Sequence, residues 1–159
     1  MVRFLPAFLL LGAAAWAVER REVVFKQTPQ GELKMTLFYP PDWKAEDRRP
    51  AIVFFFGGGF VNGTPRQFFS KAAYLASRGM VAASAEYRVL SRHKTSVRES
   101  YEDCRTAIRW LRTNAHAHGV DAARIAAGGG SAGATCAMST LAEQPFDAAG
   151  EDTSVSARP

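Results

Sequence analysis

Apolar positions along this chain follow two rhythms that alternate. Two short β-type runs, Glu22 to Lys26 and Leu33 to Tyr39, flank Gln30-Gly31 and predict an antiparallel hairpin. Beyond a polar loop through Pro40-Pro41-Asp42 and Lys44 to Arg49, the run AIVFFF (Ala51 to Phe56) contains no polar residue. That pattern predicts a strand buried on both faces, and it ends in Gly57-Gly58-Gly59. Thr64, Pro65 and Gln67 then read as N-cap, first helical residue and capping-box partner of a helix running to Arg78 and stopped by Gly79. Met80 to Ala85 predicts another buried strand, and Tyr87 to Thr95 a polar loop. Ser96 and Glu99 form a second capping box, behind which Val97, Tyr101, Cys104, Ile108, Leu111 and Ala115 repeat as one helical stripe up to Gly119. Arg124 to Gly129 predicts a third buried strand, and Ala132 to Glu143 a helix entered directly from Ser131. From Gln144 the chain is polar.

Strands alternating with helices predict an α/β protein: a doubly wound, mostly parallel sheet with an antiparallel hairpin at its N-terminal side. The first residues, MVRFLPAFLLLGAAAWA, have a different layout. Arg3, an apolar run broken by Pro6, and Ala15-Trp16-Ala17 match a secretory signal peptide cleaved after Ala17. The run is shorter than the ~20 apolar residues a membrane span needs. The expected organisation is therefore a signal peptide over 1–17 and one domain over 18–159, secreted or periplasmic, with no stable membrane insertion after cleavage.

Composition changes this picture little. Of 159 residues, 47% are hydrophobic and 22% charged, which suits a globular domain. The net charge of +5 is spread along the chain without a basic stripe, so no nucleic-acid partner is expected. Cys104 and Cys136 fall at apolar helical positions and read as buried free thiols rather than a disulfide.

The candidate chemistry lies in AAGGGSAGA, residues 126–134. Gly129-Gly130-Ser131-Ala132-Gly133 matches G-x-S-x-G between a buried strand and a helix, the context of a nucleophile elbow. A sharp strand-to-helix turn crowds its neighbours, so Gly129, Gly130 and Gly133 must be small while Ser131 is pushed outward. Gly57-Gly58-Gly59 ends an earlier buried strand. The N–H groups of Gly58, Gly59 and Ala132 could together hold the negative oxygen of a tetrahedral intermediate. A second reading stays open: Gly128, Gly130 and Gly133 also satisfy the dinucleotide pattern G-x-G-x-x-G. Against it, such a loop normally follows the first strand of its domain, and the upstream triple glycine would have no purpose. The phosphate-loop pattern is absent, because no Gly-Lys-Ser/Thr occurs. No cofactor and no metal site is expected.

The stretches AIVFFFGGGFVNGTPRQF, YLASRGMVAASAEYRV and AIRWLRTNAHAHGVDAARIAAGGGSAGA resemble the α/β-hydrolase superfamily. More narrowly, they resemble secreted esterases and lipases with an H-G-G-G-type oxyanion loop, including acetyl-ester and carbohydrate esterases. The resemblance implies a serine hydrolase acting on a small-molecule or carbohydrate ester, with Ser131 attacking the acyl carbon and water then hydrolysing the acyl-enzyme. Two departures are visible. Phe56 stands where the pattern has histidine, and no histidine follows Ser131. In this fold the acid and then the histidine come after the serine. His93, His116 and His118 all precede it. His116 and His118 read as surface residues, and Asp103 and Asp121 as surface or capping residues. Glu143, Asp147, Glu151 and Asp152 follow the serine too closely to be the family's acid. The expectation is the N-terminal half of such a hydrolase, its sheet incomplete on the C-terminal side and its triad acid and base missing. A non-catalytic remnant or binding module is the alternative.

Overall fold

The computed structural model describes residues 18–142 and 146–159. The signal-peptide expectation for residues 1–17, and Glu143, lie outside them. Strand β1 (Glu19–Thr28) and β2 (Gly31–Tyr39) form the expected hairpin, antiparallel, with a bulge between Val24 and Lys26. The strands β3 (Arg49–Phe55), β4 (Val81–Ala85) and β5 (Val120–Gly129) follow, and the sheet order is β1-β2-β4-β3-β5.

The sheet is mixed rather than mostly parallel. The hairpin does not stand apart from it: β2 lies antiparallel along β4, through Met35 to Phe38 against Ala85 to Ala82. Only β4–β3 and β3–β5 are parallel. All five residues of β4 are buried, as are Val53, Phe54 and Phe55 of β3. Their near-continuous apolar runs, interrupted only by Ser84 of β4, are the consequence of central placement.

Four α-helices join these strands: α1 (Phe69–Ser77), α2 (Leu90–His93), α3 (Val97–Thr113) and α4 (Ala132–Ser139). Helix α1 packs over β2 and β4, with Phe38 edge-on to Phe69 and Phe54 stacked on Phe68. Helices α3 and α4 pack on each other and over β5. The stripe on α3 buries Cys104, Ile108, Leu111 and the following Ala115, while Val97 at its start is exposed. The capping box at Ser96 forms as expected: its hydroxyl accepts from the N–H of Arg98, and the Glu99 carboxylate accepts from the N–H of Ser96. Cys104 and Cys136 are free and buried, and burial beside Cys136 pushes the Cys104 thiol well up.

Three local expectations need correction. Thr64 caps nothing, because the chain enters α1 through a 3₁₀ turn (Pro65–Phe68) and Gln67 is drawn away to another partner. The segment after β4 contains the short helix α2, in which His93 Nδ1 lies 2.9 Å from the N–H of Val89. Asp103 is no surface residue: it is fully buried on α3 between Arg88 and Lys26, at 2.8 Å from each. The remaining polar segment, residues 146–158, lies along α3, where Asp147 bridges the buried Arg105 and Arg109.

Candidate active site

Ser131 stands at the end of β5, the residue before α4, with φ 52° and ψ −122°. No helix or strand uses this region of backbone space, and for a residue with a Cβ it is strained. The turn is closed by the N–H of Gly133 donating to Gly130 and that of Ala134 to Ser131. The serine is exposed, and its hydroxyl caps nothing.

The glycines around it are spent on contact between backbones. A Cβ on Gly129 would sit 2.6 Å from the Phe55 carbonyl oxygen, and one on Gly133 would overlap the Phe55 and Phe56 carbonyls. Strand β5 and helix α4 therefore touch the end of β3 with nothing between them. A Cβ on Gly57 would lie 2.8 Å from the Gly130 carbonyl oxygen, so the two glycine loops are in contact.

The upstream loop leaves β3 at Phe56 and turns through Gly58 (φ 143°) and Gly59 (φ 63°), conformations only glycine adopts cheaply. Two side chains pin it. Gln67 Oε1 accepts from the N–H of Gly57 at 2.6 Å. Tyr87 Oη donates to the Phe56 carbonyl at 2.6 Å, while the two rings stack with centroids 4.0 Å apart. Burial raises the Tyr87 hydroxyl well above the usual phenol range, so it stays a donor. The ring of Phe56 is thus a packing element, and Gly63 is needed because a Cβ there would strike it.

With the N–H of Gly57 engaged, those of Gly58, Gly59 and Ala132 have no hydrogen-bond partner among the described residues. A cleft of about 710 Å³ opens between the two loops. Gly57, Gly58, Gly63, Gly129, Gly130 and Ser131 line it, with Asn62, Gln67, Phe68 and Lys71 completing the wall. Gly59 and Ala132 stand one residue behind the lining. Gln67, Tyr87 and Lys71 were not singled out for this site from sequence. Gln67 did carry a signal, a helix-start residue close behind a glycine loop, but capping was the simpler use for it.

No histidine or carboxylate lines the cleft among the described residues. His116 is exposed. His118, expected at the surface, is half-buried instead, its Nδ1 2.6 Å from Tyr39 Oη, with Trp43 Nε1 donating to its carbonyl. Burial lowers the pKa of His118 and pushes that of Tyr39 up to about 12. Asp121 accepts from the N–H of Ala123 and pairs with Arg124. Glu151 accepts from Thr106, and Asp152 from Ser154. Among the described residues no group of three or more His, Cys, Asp or Glu could hold a metal, and no helix is long and apolar enough to cross a membrane.

The family model BD-FAE matches residues 35–155. Among curated proteins, the chain is 30% identical to esterase LipI of Mycobacterium tuberculosis over 77% of its own length and 38% of the relative's. It is 32% identical to esterase LipC of the same organism, over 88% of this chain and 35% of that one. Among solved structures, the apo form of Thermogutta terrifontis esterase 2 is 44% identical, with a TM-score of 0.85, covering 91% of this chain and 53% of that one. The same esterase has also been seen phosphorylated by paraoxon. The chain thus spans about half of this structure's length and little more than a third of the curated relatives' lengths.

Proposed function

The chain belongs to the BD-FAE family and has an α/β-hydrolase fold, and on that premise we propose that it carries the nucleophile and oxyanion half of a carboxylic ester hydrolase. Ser131 Oγ attacks the ester carbonyl carbon, and the carbonyl π pair moves onto oxygen. The N–H groups of Gly58, Gly59 and Ala132, free of other partners, stabilise that charge at the positive end of α4. Collapse of the tetrahedral adduct expels the alcohol, and water then releases the acid from the acyl-serine. The serine proton and the activation of water need a base, and since no histidine or carboxylate lines the cleft among the described residues, it comes from outside that lining. Export through residues 1–17 belongs to the same proposal.

The observation that carries this reading is the strained backbone of Ser131 at the mouth of a cleft shared with a pinned glycine loop. It favours ester chemistry over dinucleotide binding, because a dinucleotide loop requires neither the strained backbone at Ser131 nor a second, pinned glycine loop against it. Paraoxon, which phosphorylates the Thermogutta esterase, is the test. Mass spectrometry of the treated chain should find one modified residue, Ser131, and Ser131→Ala should take no label and turn over no short acyl ester. Label on another residue, or ester turnover surviving in Ser131→Ala, would overturn the assignment. A chain that neither labels nor turns over ester is a binding module instead.

A further inference from the structure

The cleft beside Ser131 is one-sided in its charge. Gln67 uses its Oε1 on the N–H of Gly57, which leaves the two Nε2 protons without an acceptor among the described residues. Lys71 lies four residues on, in the first turn of α1, and lines the same cleft. Its ammonium sits 5.5 Å from the Phe68 ring centroid, and no carboxylate among the described residues pairs with it. Phe68, stacked on Phe54 with an interplanar angle of 8°, makes a flat apolar floor between them. Among the residues lining the cleft Lys71 carries the one formal charge, and the glycines add only backbone. Between Gln67 and Lys71 the wall therefore offers donors and a positive charge to a group that has only acceptors.

We propose that the cleft accepts esters bearing a second, anionic group, a carboxylate lodged between Gln67 and Lys71 over Phe68. This rests on the ester reading of the same site. Lys71 is exposed, so an ion pair there is partly screened, and the expected preference is about three- to five-fold.

Two substrate pairs test it and locate the charge. The 4-nitrophenyl monoester of adipic acid against 4-nitrophenyl hexanoate places the carboxylate on the acyl side. 4-Acetoxybenzoate against its methyl ester places it on the alcohol side. In one pair the anionic member should have the higher kcat/KM, by about three- to five-fold. Lys71→Met should bring the ratio to about one, Lys71→Glu should invert it, and raising salt to about 0.5 M should erase it. Calorimetric titration of the same compounds into Ser131→Ala should give the same order of affinity without turnover. Hydrolysis of the neutral esters with no anionic preference, or a preference untouched by Lys71→Glu, overturns this inference and leaves the ester reading standing. Lys71-dependent anion binding in Ser131→Ala, with no turnover in the parent, supports this inference and overturns the ester reading.

Discussion

Replacing Ser131 by glycine should make the protein more stable while abolishing its chemistry. At φ 52° and ψ −122° the serine holds its Cβ in a region that costs about 1–3 kcal/mol for a side-chain-bearing residue. Glycine removes that cost but loses about 0.5–1 kcal/mol through a freer unfolded chain. The hydroxyl is exposed and caps nothing, so its loss leaves no buried group unpaired. The net gain is about 1 kcal/mol, or a Tm rise of about 2–4 °C for a chain of this size. Ser131→Ala is the matched control, because it keeps the Cβ and hence the strain. It should melt within about 0.5 kcal/mol of the parent. Thermal unfolding followed by circular dichroism on all three proteins decides the matter. If Ser131→Gly melts at or below Ser131→Ala, the turn is not strained and the argument from its backbone fails.

Three further outcomes follow from contacts elsewhere. Gln67→Leu frees the N–H of Gly57 and loosens the loop, so kcat for a short acyl ester should fall by about ten-fold or more while KM changes little; a pure KM effect would contradict this. Asp103→Asn leaves Arg88 and Lys26 without their buried carboxylate and should cost about 3–5 kcal/mol, read as a lowered denaturation midpoint in urea. His118 is held neutral by burial, so its folded pKa lies below its unfolded one near 6.5. Its contribution is complete above pH ~6.5 and is lost as pH falls through the folded value, because the unfolded chain binds the proton first. His118→Phe should flatten stability against pH in that window; an unchanged slope would refute it.

Where a residue acts on its near neighbours, the sequence carried the signal. The crowding at Gly129 and Gly133 falls two positions either side of Ser131, and the Ser96–Glu99 box closes within one turn, so both were legible. The Gln67 box was not, because its amide is taken by Gly57, ten residues away across a loop. Asp103 and His118 were misread for the same reason. Their partners, Arg88 and Tyr39, come from other elements, and a helical period shows which face a residue occupies but not what meets it. The sheet was read as mostly parallel because nothing local reports that β2 settles against β4.

The direct contact of Gly129 and Gly133 with the end of β3 has a consequence for how the site tolerates change. The gap between Ser131 and the glycine loop is gauged by the thickness of two polypeptide backbones, with no side chain in between. Residues in the surrounding core can therefore drift or be redesigned without retuning that distance. The glycines themselves admit no graded adjustment, since the smallest addition, one methyl group, already forces the two chains apart.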